Sequence, residues 1–287
     1  MPEEQSVAAE FLRATEEFNR RAGELGLGDV SRYYWYHTIE LPHGLVTPGL
    51  YDFRATYPCF RFPEDMRGLR VLDIGSATGF FAFEFAKRGA RVVSVELPSL
   101  YALDRFPGQD VEQSLLAIQK MMFPDSVDAT RGFVRKYTAE DLYDFLLEGP
   151  FEFCRKLLGL EVERCYSSVY DLSAQKLGGF DLVFLGDVLL HTINPLAALA
   201  AVAPLCGGTL VLAQVMPEDV SGKPAMLYVG GDDPSFDEVQ WWWPNRLCLI
   251  QLLQKFGFRE VGDMGHHTGV LRPSGYVFDR TILHAVK

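Results

Sequence analysis

Val71-Leu72-Asp73-Ile74-Gly75-Ser76-Ala77-Thr78-Gly79-Phe80 opens on an apolar run that ends in an acid and continues into a turn bounded by two glycines. From Arg70 the run reads as a short strand, the glycine-bearing stretch as a turn, and Phe80 to Arg88 as an apolar helix. A second strand, Arg91 to Val95, follows at once. Strand, turn, helix and strand make a βαβ unit, which requires a parallel sheet. Glycines at the tip of a strand let a ligand approach backbone that a Cβ would shield. Their spacing here is GxxxG, not the GxGxxG that seats a pyrophosphate on a helix N-terminus.

The same alternation extends downstream. Strands fit at Val162 to Ser167, Leu182 to Leu185 and Thr209 to Val215, with a helix at Pro195 to Ala203. Helix Asn245 to Phe256 leads into Arg259 to Gly262, and a last strand, Arg280 to Val286, closes the chain as half of an antiparallel pair. Between Glu96 and the third strand lies a long stretch rich in Phe, Leu, Tyr and Met, read as a helical insertion over the strand ends. Upstream, Val7, Phe11, Ala14, Phe18, Ala22 and Leu25 recur at helical spacing, predicting an amphipathic helix over 4–25 that Gly26 and Gly28 end. Residues 33–50 predict a hairpin turning at Pro42-His43-Gly44. The expected organisation is a helix-and-hairpin cap over 1–66, then an α/β domain over 67–287 with the insertion at about 100–158.

Several side chains fall where chemistry is expected, because open α/β sheets bind ligands beyond the carboxyl ends of their strands. Asp73 ends the first strand, where its carboxylate suits a ligand amino group. Glu96 ends the second, and a carboxylate there can accept from both hydroxyls of a ribose. With Gly75, Ser76, Ala77, Thr78, Gly79 and Leu97 they outline a nucleoside-cofactor site. Asp171 and Leu172 follow the third strand, where an adenine amino group would lie; an N-cap is a nearly equal alternative for the aspartate. Gly186 and Asp187, at the end of the fourth strand, complete the expected cofactor-binding set, and His191 stands just beyond them. His191 is the first choice for a general base and equally a loop brace; His37 is second, and more often such a residue only builds a hairpin. Tyr36, Trp241 and Trp242 are candidates for the wall of an acceptor pocket, against core packing as the alternative.

Composition narrows the class. The chain has 287 residues, 48% hydrophobic and 23% charged, ordinary for a globular protein. A net charge of -11 disfavours binding to phosphodiester backbones and leaves small molecules open. Five scattered cysteines form no CxxC, and the first residues are acidic with no signal-peptide core; a soluble, cytoplasmic chain is expected. No apolar run approaches the roughly 18 residues of a membrane helix. His266-His267 has no matching ligand cluster, so no metal site is expected.

Taken together, DIGSATG, VVSVE, FDLVFLGDVLLHTINP and WWWPNRLCLIQLLQKFGF resemble the class I S-adenosylmethionine (SAM)-dependent methyltransferases. YHTIELPHGLVTPG narrows this to the branch that holds the bacterial tRNA wobble-uridine carboxymethyltransferases. The resemblance covers about residues 33–98 and 160–286 and implies a Rossmann-like seven-stranded methyltransferase sheet with SAM as cofactor. The tRNA enzymes carry Leu-Tyr-His after the fourth strand, the tyrosine helping to hold the carboxylate of carboxy-SAM; here Leu189-Leu190-His191 lacks it. Their basic N-terminal region is also replaced by an acidic helix. Ordinary SAM and O- or N-methylation of a small molecule, as in secondary metabolism, are the expectation. The alternatives are a tRNA-modifying enzyme, an NAD-dependent oxidoreductase and a non-catalytic SAM-fold binding protein.

Overall fold

Seven segments hydrogen-bond into one sheet in the computed structural model, which describes residues 2–128, 132–133, 136–218, 222–232 and 240–287. They are Arg70–Ile74 (β1), Arg91–Glu96 (β2), Val162–Tyr166 (β3), Phe180–Gly186 (β4), Cys206–Gln214 (β5), Glu260–Leu271 (β6) and Tyr276–Val286 (β7). Their spatial order is β3-β2-β1-β4-β5-β7-β6. β1 runs parallel to β2 and β4, β2 to β3, and β4 to β5. β7 runs antiparallel to both β5 and β6. The order reverses between β2 and β4, on either side of β1, and such a switch point opens a crevice at the strand ends.

β1 and β4 are apolar on both faces because helices cover both. On one face Phe80, Phe81, Phe83 and Phe85 of α2 (Phe80–Lys87) pack over Val71, Val92 and Phe184. On the other, α6 (Pro195–Val202) and α7 (Arg246–Lys255) bury Leu199, Val202, Leu249 and Leu253 against Leu72, Ile74 and Val183.

The cap shares the first of these cores. An N-terminal helix, α1 (Pro2–Glu24), contributes Phe18 and Ala22, and the following segment adds Trp35, Ile39, Leu45 and Phe60 to the same cluster as α2. The hairpin forms between Glu40–Leu41 and Leu45–Val46, turning through Pro42–Gly44 with His43 in the left-handed region at φ 62.

The long segment between β2 and β3 divides in two. α5 (Gly149–Leu158) places Phe151 and Cys154 in the main core, so it is the ordinary crossover helix into β3, although the expected insertion reached about residue 158. Ahead of it, α3 (Val111–Met122) and α4 (Ala139–Tyr143) build a small core of their own around Leu115, Met122, Leu142 and Phe145. This unit is tied to the strand ends, for the Tyr143 hydroxyl donates to Leu97 O at 2.6 Å and Tyr34 N donates to Phe145 O at 2.8 Å.

β6 and β7 run well beyond their expected lengths. Glycines interrupt EVGDMGHHTGVL, and a register shift between Asp263 and Gly265 moves the inward positions, so alternation is lost to the eye although pairing continues. Met226–Tyr228 and Trp242–Pro244 form a further antiparallel pair that the tryptophan run does not advertise. Among the described residues no helix is long and apolar enough to cross a membrane, and no three His, Cys, Asp or Glu side chains cluster as metal ligands would.

Candidate active site

Every residue of the turn between β1 and α2 is anchored. Gly75 N and Ser76 N donate to Val95 O, and Gly79 N closes the turn on Ser76 O at 2.8 Å. Gly75 has φ +69, and a Cβ there would meet Val188 Cγ2 at 2.7 Å. Ala77, a non-glycine, also takes a left-handed φ of 47. That conformation is costly and persists where surrounding contacts over-determine it. Those contacts come from two strands. Glu96 on β2 accepts from Ala77 N through Oε2 and from Leu97 N through Oε1, both at 2.9 Å. Arg164 on β3 donates to Ser76 Oγ at 2.6 Å, to Ser94 Oγ at 2.8 Å and to Ala77 O at 3.3 Å.

Asp73 is almost wholly buried beneath the turn. Burial pushes its carboxyl up to about 7, with nearby Arg164 pulling it down and Glu96 pushing it up. Its Oδ2 is buried and has no protein partner. A buried carboxylate oxygen without a donor is costly and marks a place for a ligand donor. Glu96 retains spare lone pairs on both oxygens, since a carboxylate offers about four acceptor sites. Gly75 is exposed while its flanks are buried, leaving bare backbone at the mouth of the crevice.

The cap closes one side. His37 N donates to Thr78 Oγ1 at 3.1 Å, and its ring Nδ1 accepts from Phe80 N at 3.4 Å. With Nδ1 accepting, the ring proton sits on Nε2. Burial among Phe53, Phe80 and Phe81 pushes the imidazole down to about 3, so it is neutral. His37 thus docks the cap onto the first turn of α2.

A polar group lies at the tip of β4. Asp187 takes φ 48, and both its oxygens accept from Arg280 Nε, at 2.8 and 2.7 Å. Burial raises the Asp187 carboxyl, and Arg280 opposes that rise. Tyr36 and Tyr51 lie with ring centres 4.8 Å apart and both feel the Asp187 charge; burial holds both phenols above their ordinary range. His191, exposed on the turn Leu189–His191, is close enough to lower the Asp187 carboxyl. Gly186 lies against the Phe184 ring, where a Cβ would sit 2.7 Å from Cζ.

The remaining predicted residues divide by position. Asp171 is exposed at the end of the turn Val169–Asp171, while Leu172 is buried against β1 and β2. Near them the Asp104 carboxylate accepts from the Tyr170 hydroxyl and from Ile193 N, joining the inserted segment to the loops after β3 and β4. Trp241 is fully buried, edge-on to Phe106 at 5.9 Å, with Nε1 unpartnered. Trp242 is half-buried and donates from Nε1 to Ile193 O at 2.9 Å. The turn, Glu96, His37 and the Asp187 group therefore share the strand ends, and the tryptophans stand behind the loop that carries His191.

Arg164 and Arg280 were not picked out from the sequence. Each leaves a legible trace, a charge at an inward position of a strand. Arg164 shares its face with buried Val162, and Arg280 with buried Phe278 and Ile282. An inward charge must be paired.

Residues 54–261 match the profile of a methyltransferase domain. The chain belongs to that family. Its members in this fold use SAM, and the acceptors and cradle described above suit that cofactor: an orphaned buried carboxylate oxygen at Asp73, a second acid at Glu96 and open backbone at Gly75. A 50-residue stretch is 48% identical to a magnesium-protoporphyrin O-methyltransferase of Rhodobacter capsulatus, covering 16% of this chain and 22% of that protein. A longer match, 25% identical over 194 residues, joins 67% of this chain to 46% of a tRNA U34 carboxymethyltransferase of Dichelobacter nodosus. The chain thus matches less than half the length of either curated relative. In fold it is similar to the N-terminal domain of EvdMO1 solved in the presence of SAH and D-fucose, with a TM-score of 0.52, 18% identity and coverage of 94% and 96% of the two chains.

Proposed function

We propose that this methyltransferase uses the β1, β2 and β4 ends to bring SAM against a small-molecule acceptor and methylates it on oxygen or nitrogen. The observation that carries the reading is the pair of buried acids, Asp73 and Glu96, bracketing a glycine-opened turn at the switch point of the sheet. Asp73 Oδ2 would accept from the ligand amino group and Glu96 from the ribose hydroxyls, with Gly75, Ser76, Ala77, Thr78, Gly79 and Leu97 along the ligand. Asp171 and Leu172 would border the adenine. When bound, SAM supplies a methyl group on a sulfonium, which passes in line to the acceptor nucleophile.

The chain's own part is chiefly positioning, which can contribute roughly 7–11 kcal/mol. His191 is the base for a hydroxyl or protonated nitrogen: it is exposed at the site, beside Asp187. Such a base adds about two to four orders of magnitude. His37 is assigned the role of brace, because its Nδ1 is engaged and burial keeps it from taking a proton. Gly186 and Asp187 shape the acceptor side with Tyr36 and Tyr51, and Trp242 backs the His191 loop. The net charge of -11 and the Leu190 that stands in place of tyrosine favour a small acceptor over tRNA, and ordinary SAM over carboxy-SAM. The five free cysteines suit a reducing cytoplasm.

The test is to denature purified protein, identify the co-purified nucleoside by mass spectrometry, and then assay methyl transfer to a panel of hydroxylated and amino acceptors. SAM or its demethylated product with turnover on a small acceptor supports the reading. Carboxy-SAM, or turnover only on tRNA, overturns it.

A further inference from the structure

The cofactor turn is gripped from behind by one cation. Arg164 stands on β3, two strands from the turn, with a side chain only 7% exposed. Its guanidinium lies 3.9 Å above the Phe151 ring centre, which fixes its plane. From there Nη1 reaches Ser76 Oγ and Ser94 Oγ, themselves 2.5 Å apart, while Nη2 reaches Ala77 O. Behind it, Glu148 Oε2 lies 3.7 Å from Nε, and the other Glu148 oxygen accepts from the Tyr166 hydroxyl at 2.6 Å.

Ala77 is consequently held at both ends of its peptide frame, by Glu96 at the amide and by Arg164 at the carbonyl. It is also the residue in the turn that takes a left-handed φ without being glycine. Relaxing it would release the Ala77 amide from Glu96 and rotate the acid assigned to the ribose. Arg164 also offsets the buried Asp73 carboxylate, for its charge lowers that carboxyl while Glu96 raises it. A planar fork is suited to this, since it bonds two hydroxyls and a carbonyl at once, which an ammonium on a flexible stem does less well.

We infer that Arg164 is a positioning residue of the cofactor site: by holding Ser76, Ser94 and the Ala77 carbonyl it sets the turn, and through it Glu96, for SAM. The inference rests on the SAM reading of the turn. It assigns Arg164 no contact with substrate or cofactor.

The experiment is a calorimetric titration of SAM onto the full chain as wild type, Arg164→Lys and Arg164→Met, repeated from pH 6 to pH 8. Loss of charge-assisted hydrogen bonds to the turn should weaken binding about tenfold or more in Arg164→Met, with Arg164→Lys intermediate. Turnover at saturating SAM should stay within about threefold of wild type, so that the loss appears in KM and not in kcat. The pH midpoint of SAM binding should move upward in Arg164→Met, because Asp73 loses its nearby cation. A scaffold role alone would lower the melting temperature and leave that midpoint in place. Equal affinity in wild type and Arg164→Met, or a loss of affinity with an unmoved midpoint, overturns the inference. If Arg164→Met does not fold, Arg164→Gln, which also removes the charge, decides by the same two readings. Wild type that binds no SAM would instead overturn the reading of the site itself.

Discussion

Arg280 Nε lies 2.8 and 2.7 Å from the two carboxylate oxygens of Asp187, one N–H shared between both. The contact joins the last strand of the sheet to the tip of β4, at a residue whose φ of 48 lies in the left-handed region. Arg280 reaches it because Phe278, Arg280 and Ile282 share the inward face of β7. The grip therefore does two things: it opposes the rise that burial imposes on the Asp187 carboxyl, and it holds the left-handed corner beside Tyr36, Tyr51 and His191.

Removing one member of that pair leaves a poorly solvated charge. Arg280→Met should cost about 1–3 kcal/mol of unfolding free energy, the lower part of the range for buried pairs because Asp187 keeps some solvent contact. Arg280→Met with Asp187→Asn should cost less than the sum of the two. Urea unfolding of the four proteins reads the coupling; strict additivity would mean that the ion pair does not brace the corner.

Asp73 makes a prediction in pH. Its folded carboxyl titrates near 7 and its unfolded one near 3.8, so between these values the folded chain holds the extra proton. The contribution of this group to stability is then complete below about 3.8 and is lost as pH rises through 7. Ligand binding runs the other way, because a cationic amino group favours the ionised acid. SAM affinity should rise between pH 6 and pH 8, with proton release on binding at pH 6. Asp73→Asn should remove both slopes, which titrations in buffers of different ionisation enthalpy would measure.

The two histidines should separate cleanly. His191→Ala should lower kcat by about two to four orders of magnitude with SAM affinity unchanged. His37→Asn should instead lose stability while the pH-rate profile keeps its shape. His37 is depressed to about 3 when folded, so its contribution is complete above about 6.5 and fades as pH falls toward 3. Thermal unfolding of wild type and His37→Asn across that range checks the sign. Loss of the acid limb of the pH-rate profile in His37→Asn, with His191→Ala fully active, would exchange their roles.

Gly75 tests the turn itself. An alanine would need φ +69 and a Cβ 2.7 Å from Val188 Cγ2. Gly75→Ala should cost about 1–2 kcal/mol and weaken SAM binding; Gly75→Ala with Val188→Ala should recover the steric part only. Retained affinity in the single variant would mean that the turn tolerates a side chain where the ligand is placed.

Much of this architecture was legible in the sequence because local pattern and long-range structure agree over β1, α2 and β2. RVLDIG, the glycine turn and the Phe-rich helix can bury themselves in one way only. The positions of the acids were legible for the same reason, since period and topology put Asp73 and Glu96 at the ends of β1 and β2. What escaped depends on contacts between distant segments. Arg164 meets Ser76 across 88 positions, and Arg280 meets Asp187 across 93; a charge on an inward face announces a partner but not which one. The engagement of His37 Nδ1 by Phe80 N spans 43 positions and turns a candidate base into a brace. α5 was read into the insertion because amphipathic spacing does not say which core a helix will join.

The central claim is that the acids at the ends of β1 and β2 serve SAM, and a calorimetric titration of wild type and Glu96→Ala tests it most directly. Glu96→Ala removes the acceptor for Ala77 N and Leu97 N together with the carboxylate assigned to the ribose. Wild type should bind one SAM per chain, and Glu96→Ala should bind it about tenfold or more weakly while keeping a cooperative thermal transition. No binding by wild type, or equal affinity in the folded variant, would contradict it.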